Sequence, residues 1–94
     1  MNEPAIGVLS RPAVAGGFRL QWEAAQNAHV LLFPEGMIKL NTSAGEILKR
    51  CDGTATIADI TADLERAFST SNLSEDVMRF VTMAVEKKWL KIPS

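Results

Sequence analysis

The sequence predicts an α+β fold in which a three-stranded antiparallel sheet is followed by three helices. Three observations carry the prediction. Residues 18–23 alternate apolar and polar side chains, residues 31–41 (LLFPEGMIKLN) form two apolar runs parted by a turn, and beyond Asn41 the apolar spacing changes to a helical period.

In the first strand Phe18, Leu20 and Trp22 fall on one side and Arg19, Gln21 and Glu23 on the other, which describes a strand with one wet face. Trp22 is then expected as an inward anchor. Residues 28–33 (AHVLLF) are a continuous apolar run of strand length, followed by Pro34, Glu35 and Gly36. Proline at the second turn position pre-sets φ and glycine suits the fourth, so residues 33–36 are expected to make a type I turn into a last strand, Met37 to Leu40.

Asn41, Thr42 and Ser43 are all capping residues by type, and Ser43 with Glu46 has the spacing of a capping box. Ala44, Ile47, Leu48 and Cys51 then recur at i, i+3, i+4 and i+7 until Asp52-Gly53 ends the helix. A second helix starts after Thr56, with Asp59 near its positive end and a stripe of Ile57, Ile60, Leu64 and Phe68. STSN at 69–72 breaks the pattern. A third helix runs from about Ser74 to Lys88, capped by Asn72 with Glu75 or by Ser74, with Lys87 and Lys88 at its negative end. Its apolar face is unusually wide: Val77, Val81 and Ala84 form the centre, Met78 and Val85 one flank, Phe80 and Met83 the other. Charged Asp76, Arg79 and Lys87 border the second flank, so an apolar strip is expected to remain once the core is filled.

Ninety-four residues suit one domain with a single modest core. Residues 1–17 mix Pro, Gly, Ala and Ser without a period and read as a flexible N-terminal arm, leaving 18–94 as the folded unit. One cysteine excludes an internal disulfide, and neither a signal segment nor an apolar run of membrane-spanning length is evident. A cytoplasmic protein with no membrane partner is the expectation.

Catalysis needs convergent reactive groups. The only histidine, His29, lies within an apolar strand, the only cysteine lies on a helical core stripe, and there is no glycine-rich phosphate loop or nucleophile motif. No catalytic residue, metal site or cofactor is therefore expected. Trp22 and Trp89 are both placed in the core, whereas Met83 suits a core gap or an adaptable binding surface equally. Strands followed by three helices also suggest a winged helix, a fold that often binds DNA. A net charge of -1, with Glu75 and Asp76 opening the helix that would enter the groove, argues against a nucleic-acid partner. The remaining reading uses the last strand: its unpaired N–H and C=O groups can accept an extended peptide, unless the domain's own tail covers them.

The run LLFPEGMIKLNTSAGEILKRCDGTATIADI, residues 31–60, resembles the central block of the PqqD family of pyrroloquinoline quinone biosynthesis proteins, whose members carry a similar LLYPEG...LN.SA.EIL..CDG pattern. The likeness is closest from Leu31 to Gly53 and extends more weakly over residues 12–90. It implies a winged-helix-like peptide-recognition domain without catalytic activity. Proteins of this kind bind the precursor peptide PqqA and present it to the radical SAM enzyme PqqE, which cross-links a Glu and a Tyr within the peptide. Carried over, the peptide-binding residues are Met37, Ile38, Lys39 and Leu40 of the strand and Val77, Arg79, Phe80, Met83, Ala84 and Lys87 of the third helix. Two positions depart from the family pattern. Phe33 stands in place of the usual Tyr, and Lys88 precedes Trp89 where glycine is common, which puts the helix end in doubt because lysine takes a left-handed cap at a cost.

Backbone groups of successive residues in an antiparallel strand point to opposite sides, so of Ile38 and Lys39 one pairs inward and one faces the peptide. Without peptide, two copies can pair through their exposed edges as a homodimer. The alternatives are a DNA-binding winged-helix protein and a structural dimerisation module.

Overall fold

The computed structural model describes residues 5–93. In chain order the elements are β1 (Ala13–Val14), β2 (Arg19–Glu23), β3 (Ala28–Phe33), β4 (Gly36–Lys39), α1 (Thr42–Lys49), α2 (Ile57–Ala67), α3 (Ser74–Glu86) and β5 (Leu90–Lys91). The expected antiparallel sheet is present in the order β2-β3-β4, and the three helices follow it.

Register explains which face the sheet buries. Leu20 stands opposite Leu31, and Leu31 opposite Ile38, so the period of 2 places these three side chains in one row on the helix-covered face. Trp22 and His29 form the next row. Leu31 joins Leu40, Ile47, Leu48, Ile57, Ile60, Leu64, Val77, Val81 and Leu90 in one buried core. The stripe expected for α1 is buried throughout, at Ala44, Ile47, Leu48 and Cys51.

Two expected core anchors lie elsewhere. Trp22 is 52% exposed, because α1 packs on the central strand β3 and the outer strand β2 projects past that contact; its ring meets His29 edge-on at 5.0 Å instead. Phe68 is 50% exposed, since α2 ends at Ala67 and the left-handed Ser69 turns the chain away before a fourth apolar position can face inward.

The helix ends differ in detail from their sequence signals. Asn41, not Ser43, caps α1: its Oδ1 accepts the Ala44 N–H at 2.8 Å, and Glu46 turns to Arg50 instead of closing a capping box. Neither Asn72 nor Ser74 caps α3. Leu73 holds that position with no side-chain cap, and its own N–H donates to Glu65 Oε2 at 3.0 Å. At the other end α3 stops at Glu86, short of Lys88. The Trp89 N–H donates to Ala84 O at 2.9 Å and the Lys88 N–H to Val85 O at 3.0 Å, a Schellman pair that puts Lys88 at φ 69°. Lysine takes the left-handed cap here despite its cost.

The folded unit also extends past the boundary expected at Phe18. Pro12 is fully buried, and β1 pairs with β5 in a second, two-stranded ribbon, Ala13 opposite Lys91 and Val14 opposite Leu90. Just before β1, the chain supplies acceptors to the start of α2: Ile57 N–H donates to Ser10 O and Ala58 N–H to Val8 O, each at 2.9 Å. Thr56 and Asp59 close a reciprocal capping box, so all four amides at this helix start have partners. Residues 8–15 are a strap joining α2 to the end of α3. Residues 1–4 of the expected arm lie outside the described residues.

One close approach sets the seat of α1. A Cβ built on Gly45 would lie 2.9 Å from His29 Nδ1 and 3.1 Å from its Cβ, and the latter is fixed to the backbone of β3. Around α1, Arg50 links the helices: Nε donates to Asp63 Oδ2 at 2.5 Å and Nη1 to Glu46 Oε1 at 2.8 Å. These bonds hold the Glu46 and Asp63 carboxyls below their ordinary range. Asp52 is lowered further, to about 2, by the backbone amides of Ala55 and Thr54 and by the Thr54 hydroxyl.

Gly45→Ala is therefore expected to destabilise the fold by about 1–2 kcal/mol in chemical denaturation, overpacking against His29 outweighing the roughly 1 kcal/mol of helix propensity that alanine offers. Acid should destabilise it as well. Because the folded-state pKa values of Glu46, Asp52 and Asp63 are depressed, their contribution is complete above the unfolded values near 4 and is lost as pH falls through the folded ones. The melting temperature should be flat above about pH 5 and fall towards pH 2, and Asp52→Asn, which keeps the acceptor oxygen, should flatten the lowest part of the fall.

Candidate functional site

The site begins at the outer edge of β4. Phe33 stands opposite Gly36 across the turn, and neither Pro34 nor Glu35 has a positive φ, as a type I turn requires. At the far end the Leu40 N–H donates to His29 O at 3.0 Å, so Leu40 pairs inward. Alternation then makes Ile38 inward-pairing and turns the N–H and C=O of Met37 and Lys39 to the open side. Among the described residues β4 has a strand neighbour on one side only, and those groups have no strand partner there.

Side chains alternate independently of those groups. Ile38 and Leu40 point to the helix-covered face, where Leu40 is buried and Ile38 packs on the core, while Met37 and Lys39 are exposed on the other. Between β4 and α3 lies an open groove of about 350 Å³. Ile38, Leu40, Ala44, Ile47, Phe80, Met83 and Trp89 give it apolar walls, and Lys39, Asn41, Ser43 and Asp76 a polar rim.

Of the residues singled out from sequence, Ile38, Lys39, Leu40, Phe80 and Met83 meet in this groove. Met37 lies beside it, offering backbone groups to the edge. Val77 and Ala84 do not line it: both are buried in the core beneath. Arg79 is exposed and paired with Asp76 at 3.0 Å and Glu75 at 3.7 Å, and Lys87 is exposed at the end of α3. Trp89 was placed in the core by type, and helical spacing gave no other signal for it, because it lies beyond the helix end and returns to the groove only through the Schellman turn. Asp76 was visible as a charged border, and Asn41 as a cap.

Burial pushes the Cys51 thiol up to about 12, and its Sγ is 3.2 Å from Ile47 O, so the thiol is protonated and inaccessible. Among the described residues no cluster of three or more His, Cys, Asp or Glu side chains can hold a metal ion, and no helix is long and apolar enough to cross a membrane.

The fold that presents this edge and groove is similar to that of a solved recognition element. The fold matches the solution NMR structure of the PqqD truncation of Methylobacterium extorquens PqqCD, a functional, stand-alone recognition element for ribosomally synthesized and post-translationally modified peptides, with a TM-score of 0.77 and 27% identity over 93% of this chain and 95% of that one. The chain belongs to the PqqD family: the family profile for coenzyme PQQ synthesis protein D matches residues 28–90. Among its relatives are the PqqA binding proteins of Azotobacter vinelandii, 50% identical over 98% of this chain and 99% of the relative, and of Stutzerimonas stutzeri, 49% identical over 93% and 96%.

The orientation of β4 separates two proline variants. Ile38→Pro removes an inward ladder bond and an apolar side chain from the core face, and should cost about 2–4 kcal/mol in chemical denaturation. Lys39→Pro deletes only an outward N–H and should keep most of the melting temperature.

Proposed function

We propose that the protein is a non-catalytic peptide chaperone that binds the PqqA precursor peptide by strand addition to β4 and presents it to the radical SAM enzyme PqqE. The observation that carries this reading is the outward N–H and C=O of Met37 and Lys39 beside the groove walled by Phe80, Met83 and Trp89. An extended segment laid along that edge satisfies both sets of backbone groups, and its alternate side chains, those opposite Ile38 and Leu40, enter the groove. Affinity then comes from the main chain and the apolar walls, and selectivity from the side chains the groove admits. Asp76 at the rim adds charge selection. Val77 and Ala84 support the wall from beneath.

Relatives named PqqA binding proteins at near half identity support the choice of peptide. The acidic start of α3, Glu75 and Asp76, disfavours a phosphate backbone, and no observation favours the DNA-binding alternative. In the absence of peptide the same edge is a template for a second copy, and homodimer formation competes with the peptide.

Titration of isotopically labelled protein with synthetic PqqA should shift the amides of Met37 to Leu40 and of residues 77–87, and Lys39→Pro should abolish those shifts while the variant stays folded. Shifts centred on α1 instead would move the site elsewhere. Gel filtration of PqqE with the protein and peptide together should yield a ternary complex, and its absence would remove the presenting role while leaving peptide binding intact.

A further inference from the structure

The groove does not end at Asp76. Ser43, Ile47 and Asp76 also border a second, half-open cavity of about 290 Å³ where the start of α1, the end of α2 and the start of α3 converge. The two cavities lie in series along α3, one reaching from Trp89 to Asp76 and the other from Asp76 to Leu73. The second has an apolar interior of Ile47, Leu64, Leu73 and Val77, with the half-exposed ring of Phe68 at its side.

We infer that this cavity is a second subsite for the same peptide, receiving one bulky apolar side chain from a stretch outside the strand-paired segment. The inference rests on the peptide-binding reading above and extends it. Three features select the occupant. The cavity is continuous with the edge groove through three shared residues, so a chain leaving β4 past Asn41 reaches it without crossing another element. Its volume is at the small end for ligand sites, suiting a single large side chain rather than a folded partner. Its hydroxyl rim, Thr42, Ser43 and Thr70, supplies polar partners for the backbone of a passing extended chain. Subsites in series make binding of the two peptide segments effectively intramolecular, so each raises the occupancy of the other.

The test uses the full chain with synthetic PqqA. Thr70→Trp fills the mouth of the second cavity from an exposed position that does not border the first, and Phe68→Ala removes its aromatic side. Each should weaken PqqA binding about tenfold, the scale of one buried anchor, while the amide shifts at Met37 to Leu40 persist at saturation. In the wild-type complex, methyl groups of Leu64 and Leu73 should show cross-relaxation to peptide protons. If wild type binds and both variants bind equally well, the second subsite is overturned and the edge reading stands. If PqqA does not bind wild type at all, both fall. If the Leu64 and Leu73 methyls instead shift with protein concentration in the absence of peptide, the cavity holds a second copy of this chain and the subsite is overturned.

Discussion

The distance between α1 and β3 governs the architecture, and Gly45 sets it. Because no side chain separates the helix from His29, α1 lies close enough for Ile47 and Leu48 to bury against Leu31, and for Ala44 to become part of the groove floor. The helix is delivered there by a short link, since the chain leaves β4 at Lys39 and Asn41 already caps α1. With α1 covering the central strand and α3 packed beyond it, no strand among the described residues covers the outer side of β4. An open edge is usually a liability, and here the exposed charge of Lys39 blunts it against indiscriminate pairing.

Much of the fold was legible in the sequence, because periodicity directly records which side of an element is buried. The α1 stripe and the strand alternation are cases in point. Periodicity records neither how far the opposing layer extends nor where a helix stops: Trp22 is on the correct side of β2 but past the reach of what covers it, and Phe68 lies just beyond the end of α2. The strap was not legible at all. Val8 and Ser10 act through carbonyl oxygens, which every residue carries, and a two-residue strand is too short to show a period. Propensity argues against Lys88 as a left-handed cap, yet two backbone bonds and the burial of Leu90 override that preference.

The groove shows the same division. Phe80 and Met83 could be assigned to a free flank of α3 because the apolar arc was wider than one core contact needs. Val77 and Ala84 belong to the middle of that arc and are consumed by the core. Trp89 depends on the turn at the end of α3, a three-dimensional fact with no one-dimensional trace. The outward orientation of Lys39 likewise required one hydrogen bond, from Leu40 to His29, to resolve an alternation that the sequence left with two solutions.

The pairing of β1 with β5 has a consequence for the order in which the chain acquires its structure. The meander β2-β3-β4 and the helices after it are built from contacts between neighbours in sequence, and these close with little loss of chain entropy. The ribbon joins Ala13 to Lys91, residues far apart in sequence, so β1 cannot pair until β5 has been made. The bonds that Ser10 O and Val8 O accept from the Ile57 and Ala58 amides of α2 do not require β5, so they can form before the ribbon closes. The β1-β5 ribbon is thus a long-range closure that follows the local contacts of the meander and helices.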